Sequence, residues 1–318
     1  MGRRLGSALV VCGLTLAAAG CGREKAAHIS LEGPAQRAER QAPTEKRLRI
    51  AVGGMITPKE GMVFYRDFLR YVQEKVGVRV EYVDREGYAE INALLKGGEL
   101  EAAFVCSGPY TDGHAQFGLE LLAAPQAYGR TVYHSYIIVP AGSPARSLDD
   151  LRGKRFAFTD PLSNTGKLVP TYLLARQKET PESFFSTFVY TSAHDLSIKA
   201  VAEEVVDGAA VDSLIWDYLN RTDPKHTART RIVAKSPPYG IPPLVVPPTL
   251  DPQLKKRLRQ IVLGAHEDPT GRQILKKMMI DRFVPADDSA YDSIREMKAW
   301  VAKQAPGKRE RPGADRQH

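Results

Sequence analysis

Residues 156–170 read FAFTDPLSNTGKLVP. The β-rich run Phe156-Ala157-Phe158 cannot continue past Pro161, which has no N–H for a central strand, while LVPTYLLARQ, from Leu168, has the spacing of a helix's inner face. The stretch therefore predicts strand, short loop, helix. In the loop, Ser163, Asn164 and Thr165 bring side-chain donors. The amides of Thr165, Gly166 and Lys167 would be among the first-turn N–H groups that have no acceptor inside the helix. Such a joint suits a small anion. The same residues fit a plainer reading, with Ser163 or Thr165 as an N-cap and Gly166 permitting a tight turn. The joint alone leaves both readings open.

Working outward, strands and helices alternate. Arg47 to Gly53 reads as a strand entering a Gly53-Gly54 turn. After Thr57-Pro58, the residues Met62, Tyr65, Phe68, Leu69, Val72 and Val76 mark a helix's inner face, and Thr57 with Glu60 fits a capping box. VRVEYV is the next strand, Tyr88 to Lys96 a helix closed by Gly97-Gly98, and EAAFVC a third strand, with Cys106, Ser107 and Tyr110 at or just past its end. Such units predict a parallel sheet with helices on both faces and a ligand at the carboxyl ends of its strands. TVYHSYIIVP (131–140) is a long β-rich segment, after which the pattern restarts. It runs SLDDLRG helix, KRFAF strand, the joint, a long helix, TFVYTS, a helix from Asp195 to Val206, the strand AAVDS and a helix from Leu214. RIVAKSPPYGIPPLVV, punctuated by Pro237, Pro238, Pro242 and Pro243, reads as an extended return. The helices Pro252 to Glu267, Gly271 to Met279 and Tyr291 to Lys303 are expected on the first lobe. The expected architecture is α/β: lobe 1 from 47–136 plus 236–303, lobe 2 from 137–235, two crossings and a cleft between them.

The ends differ from the body. Arg3 and Arg4 precede an uncharged stretch from Leu5 to Ala19 that ends in AAAGC, so 1–21 reads as a lipoprotein signal with Cys21 as the acylated N-terminus. Ala18 stands where Leu is usual. Residues 22–46 and 304–318 are poor in apolar side chains and rich in mixed charge, and are expected as a disordered tether and tail. The net charge of +8 includes +2 from that tail, no aromatic-interleaved basic patch appears, and nucleic acid is not an expected partner. Of three cysteines, Cys12 leaves with the signal and Cys21 carries lipid, so Cys106 stands alone in an oxidising compartment. It is either a small buried hydrophobe or a thiol kept for its chemistry. No G-x-S-x-G or H-E-x-x-H occurs and the seven histidines are dispersed, so neither an enzyme, a metal site nor a cofactor is expected. The enzymatic alternative is a phosphate-ester hydrolase with His194 as general acid or base.

The segment DLRGKRFAFTDPLSNTGKLVPTYLLA resembles the signature of substrate-binding proteins of phosphate, phosphite and phosphonate ABC transporters, where a D-P-x-S-x-S-G pattern follows a strand. GYAEINALLKGGELEAAFVCSGPY, YHSYIIVPAGSP, HDLSIKAVAEEVVDGAAVDS and DPTGRQILKKMMIDRFVPADDSAYD fall in that family's order. The resemblance implies a type II periplasmic binding protein fold closing on an oxyanion, with an ABC permease as partner and a monomeric chain. It implies that Ser163, Asn164, Thr165 and Gly166 hold phosphorus oxygens, with Asn164 where a hydroxyl residue is common, and that His194 faces the ligand from the second lobe. Tyr133, at the crossing, either reaches the cleft or packs. Asp212, ending the strand AAVD, either accepts from a protonated ligand oxygen or fixes a loop. Members that take aminoalkylphosphonates present carboxylates near the second crossing, where this chain has Gly240-Ile-Pro-Pro. A related branch senses arsenite through a cysteine at the position of Cys106, beside Ser107, and signals to a histidine kinase.

Overall fold

In a computed structural model, which describes residues 47–53, 58–85 and 87–304, the alternating units condense onto two sheets. The signal, the tether, the Thr57–Glu60 capping box and the tail from 305 lie outside the described residues or side chains. The first sheet is built from β1 (Arg47–Val52), β2 (Arg79–Val83), β3 (Ala102–Phe104) and β4 (Glu120–Gln126), and later takes in β12 (Leu244–Val246) and β13 (Arg282–Val284). Its strand order is β13-β4-β12-β3-β1-β2. β1 pairs with β2 and β3 in parallel, as βα units require, but β12 and β13 pair antiparallel with their neighbours. This corrects the expected parallel sheet. The returning chain enters from the second lobe and so runs opposite to β3.

Two short strands, β5 (Val132–Tyr133) and β11 (Tyr239–Gly240), form the crossings, and they pair with each other with Tyr239 opposite Tyr133. The second sheet has the order β10-β6-β9-β7-β8, from β6 (Ser135–Pro140), β7 (Arg155–Phe158), β8 (Thr187–Tyr190), β9 (Gly208–Asp212) and β10 (Thr230–Lys235). β7 runs parallel to β8 and β9, while β6 and β10 are antiparallel. SLDDLRG forms only a 3-10 turn at Asp149–Leu151.

Helices α1 (Pro58–Val76), α2 (Tyr88–Lys96) and α3 (Ser107–Phe117) serve the first lobe. In the second lie α4 (Val169–Arg176), α5 (Pro181–Phe184), α6 (His194–Ala202) and α7 (Ser213–Thr222). Phe68 and Phe283 meet Phe104 on one face of the first sheet, and Phe156, Phe158 and Phe185 stack in the core of the second. Of the closing helices, α8 (Pro252–Gly264) and α9 (Pro269–Lys277) pack on α1 as expected. The last, α10 (Asp292–Gln304), does not keep to the first lobe. Its Trp300 meets Tyr172 of α4 edge-on at 5.2 Å, while Lys298 Nζ donates to Gly108 O (2.8 Å) and Thr111 Oγ1 (2.9 Å) of α3 and pairs with Asp112 at 2.7 Å. It therefore straps both lobes. Among the described residues no helix is long and apolar enough to cross a membrane.

Candidate functional site

The joint is a strand-to-helix turn wound wider than an α-helix. Residues Asn164–Leu168 form a π-helical turn in which Leu168 N–H donates to Ser163 O at 2.9 Å, and α4 follows without a break. Ser163 caps it, its Oγ accepting from Gly166 N at 3.0 Å. The plainer reading of Ser163 is thus its observed bond, and it removes the Gly166 amide from the donors expected to be free. Gly166 is there for a close approach: a Cβ would lie 2.4 Å from Thr159 Oγ1. Thr165 is held by its carbonyl, which accepts from Ser135 Oγ at 2.7 Å, while its own hydroxyl, fully buried, has no partner among the described residues.

Near the joint stands His194, the first residue of α6, one residue before the expected helix start, with Ala193 at the N-cap. Its Nδ1 lies 3.1 Å from Thr159 Oγ1 and accepts from the Asp212 amide at 3.0 Å. An Nδ1 that accepts an N–H carries no proton, so the neutral ring holds its proton on Nε2. Nε2 is buried without a partner among the described residues. Burial pushes the pKa down to about 3, so the ring stays a neutral donor. Asp212, at the end of β9, accepts from Leu214 N at 2.7 Å with Oδ1, and Oδ2 has no partner among the described residues. Burial raises this carboxyl to about 7.

The first lobe and the crossing complete the cluster. Asn164 Nδ2 donates to the Tyr133 hydroxyl at 3.0 Å, which also meets Cys106 Sγ at 3.5 Å. Cys106 packs against Tyr88, whose hydroxyl is another buried oxygen without a partner among the described residues. Sequence reasoning missed Tyr88 as a site residue. The available signal was its place at a helix start just past the carboxyl end of β2, where an α/β sheet binds ligands. Asp160 ties the lobes beside it, Oδ2 accepting from Tyr88 N at 3.2 Å. Ser107 was expected at the ligand, but its hydroxyl donates to Gly240 O at 2.6 Å and braces α3 against the second crossing. The Cys106 thiol is raised by burial, although the Tyr133 hydroxyl and the amides of Asn164 and Gly108 oppose this.

Tyr88, Cys106, Tyr133, Asn164, Thr165, His194 and Asp212 all have 0% exposure, and they come from both lobes and a crossing. The set includes no Lys or Arg. Lys167, next along the turn, holds its ammonium 3.8 Å from the centre of the Phe158 ring instead. Among the described residues no group of three His, Cys, Asp or Glu is placed to hold a metal. What remains is a buried cluster of neutral polar groups and one carboxyl. Such a cluster can hold an oxyanion by hydrogen bonds without a countercharge.

Two α/β lobes, paired crossings and a buried polar cluster drawn from both lobes are the architecture of a type II periplasmic binding protein. The family model described as "ABC transporter, phosphonate, periplasmic substrate-binding protein" matches residues 54–291, and the chain belongs to that family. It is 25% identical over 248 residues to the phosphonates-binding periplasmic protein of Escherichia coli K12, covering 74% of this chain and 71% of that one. A probable ABC transporter phosphite-binding protein of Prochlorococcus marinus is 24% identical over 161 residues, 49% of this chain and 54% of that one. In fold, the chain is similar to a binding-protein component of a phosphonate ABC transporter from Pseudomonas aeruginosa (TM-score 0.77, 22% identity, 82% and 88% covered). It is also similar to the Prochlorococcus PhnD1 in complex with methylphosphonate (TM-score 0.74, 19% identity, 81% and 99% covered).

Proposed function

We propose that this chain captures a small phosphorus oxyanion, whether phosphonate, phosphite or phosphate, between its lobes and delivers it to an ABC permease without turning it over. The observation that carries the reading is one buried cluster in which Thr165 Oγ1, Asn164 Oδ1, His194 Nε2, Tyr88 Oη and Asp212 Oδ2 all lack protein partners among the described residues. Buried polar atoms are ordinarily paired, so such a group is what a polar ligand satisfies. Thr165 Oγ1 and the His194 Nε2–H would donate to the phosphoryl oxygens, and Asp212 Oδ2 and Asn164 Oδ1 would receive ligand O–H protons. The relatives named for phosphonate and phosphite binding support the same ligand class. The export signal and Cys21 extend the proposal to a periplasmic protein anchored by lipid, working as a monomer.

Arsenite sensing through Cys106 gains no support. Cys106 is the single free cysteine among the described residues, and burial holds the proton on its sulfur, whereas a soft metalloid is bound by thiolate. Calorimetric titration with phosphite, phosphate and methylphosphonate tests the proposal. Thr165→Ala should weaken binding by about 1 to 3 kcal/mol, roughly 5- to 150-fold, for one lost hydrogen bond to a charged group. Cys106→Ser should bind as the parent does. Full affinity in Thr165→Ala would take the joint out of the site, and turnover of a phosphate ester would replace capture with hydrolysis.

A further inference from the structure

The second lobe repeats the first at one constant separation in sequence. Arg49, in β1, forks onto Glu101 (2.7 and 3.1 Å) and reaches Gly98 O (2.8 Å), and Arg155, in β7, forks onto Asp207 (2.8 and 3.1 Å) and reaches Glu204 O (3.1 Å). At the same separation Tyr88 corresponds to His194, each the first residue of its helix, and Gly53 to Thr159, each just past the end of its strand. In both lobes this strand-end residue lies against the ring at the helix start. A Cβ on Gly53 would meet the Tyr88 ring at 2.8 Å, so glycine leaves the first ring its room, whereas the second lobe sets the Thr159 hydroxyl 3.1 Å from His194 Nδ1.

The direction of that bond is fixed. The Asp212 amide can only donate, and it donates to Nδ1 at 3.0 Å, so this nitrogen is bare and the Thr159 hydroxyl donates to it as well. Other acceptors for that hydroxyl, Ser197 Oγ and Ala210 O, lie farther off at 3.5 Å. Thr159 is fully buried and its backbone is held on both sides, the N–H donating to Gly166 O at 3.2 Å and the carbonyl accepting from Ser192 N at 2.8 Å. One residue thus connects the joint, through Gly166, to the imidazole.

We propose that Thr159 is a positioning residue for oxyanion capture: its hydroxyl and the Asp212 amide clamp the His194 ring by Nδ1 and so hold the Nε2–H in place for the ligand. The inference rests on the oxyanion reading above and adds the group that orients its imidazole donor. Turning the ring over about Cβ–Cγ would put a carbon where Nε2 stands. Two donors converging on one nitrogen, from the ends of β7 and β9, oppose that turn.

The test is calorimetric titration with phosphite and methylphosphonate of Thr159→Val, Thr159→Ser, His194→Gln and the Thr159→Val, His194→Gln double variant. Valine keeps the shape and removes the hydroxyl, and should weaken binding about tenfold, the upper end for one neutral hydrogen bond. Serine keeps the hydroxyl and should bind within about twofold of the parent, and adding Thr159→Val to His194→Gln should change affinity by less than about twofold, because a residue that acts through another then has nothing to act on. In nitrogen NMR spectra the His194 Nδ1 signal should move downfield in Thr159→Val, as a bare ring nitrogen does on losing a donor, and return in Thr159→Ser. Thr159→Ala gives the same comparison should the valine methyl disturb the turn at Gly166. Parental affinity in a folded variant without the hydroxyl overturns the proposal and leaves the oxyanion site standing. An equal loss with and without His194 also overturns it, making Thr159 a brace of the joint alone. Failure of phosphite, phosphate and methylphosphonate to bind the folded parent overturns the oxyanion reading and this inference with it.

Discussion

Replacing Gly108 by alanine should reduce ligand affinity at least a hundredfold while leaving the ligand-free protein as stable as its parent. Gly108 lies in the first turn of α3, on the first lobe, and a Cβ there would sit 2.3 Å from the Leu162 carbonyl oxygen and 3.2 Å from the Asn164 amide, both on the second lobe. Both obstacles are backbone, so no side chain can rotate away. The turn cannot easily shift, because Lys298 grips the Gly108 carbonyl from α10. Relief comes only from moving the lobes apart, which opens the cluster. Gly108 is helical and has no positive φ, so alanine brings no backbone strain and a better helix propensity. The melting temperature without ligand should therefore hold or rise slightly. Gly166→Ala provides the contrast: its clash, with Thr159, lies within the second lobe and should cost stability whether or not ligand is present. Titration calorimetry and a scattering radius of gyration with saturating methylphosphonate check the first claim. Affinity within tenfold of the parent would show that the contact of α3 with the joint is not part of closure.

Much of this fold was legible because its signals are local. The strand RLRIAV, the helix Tyr88–Lys96 with its glycine pair, and the break at Asp160-Pro161 each carry their evidence within a dozen residues. Helix α3 was not legible, since Gly108, Pro109 and Gly113 disguise it. Proline is tolerated in a first turn, and Gly118 at φ 76° closes the end. β4 was missed because the strands that flank it, β12 and β13, arrive more than a hundred residues later. The site divides the same way. That the joint holds Ser163, Asn164 and Thr165 is written in the chain. Which of their atoms stay free is decided by the Ser163–Gly166 bond, the approach of Thr159 and the reach of Tyr133, and none of these follows from spacing. Tyr88 carried no polar periodicity to mark it. Asp212, open to two readings, has one oxygen tied to Leu214 N, as the loop-fixing reading has it, and the other without a partner among the described residues.

Between about pH 4 and 6.5 the His194 and Asp212 titrations should nearly cancel in the stability of the protein with its lobes closed, and single substitutions should uncover each. His194 has its folded pKa depressed from 6.5 to about 3. Its contribution is present above pH 6.5 and is lost as the pH falls toward 3, because the unfolded chain takes up the proton first. Asp212 has its folded pKa raised from 3.8 to about 7. Its contribution is full below 3.8 and is lost as the pH rises through 7, because the unfolded chain releases the proton first. In the overlap each group contributes a slope of up to about 1.4 kcal/mol per pH unit, with opposite signs. Asp212→Asn should therefore make the protein lose stability on acidification relative to the parent, and His194→Gln should make it gain. The difference between the two variants isolates the pair, since every other titrating group is common to both. Denaturant unfolding at pH 4, 5, 6 and 7 is the measurement, and parallel curves for the two variants would show that neither group is buried as described. The same pair bears on capture. Below pH 7 the protonated Asp212 can itself donate to a ligand oxygen. Above it the carboxylate faces the oxyanion, and only a ligand O–H can bridge them. Binding of a fully ionised oxyanion should then weaken above pH 7 in the parent, and Asp212→Asn should remove that decline.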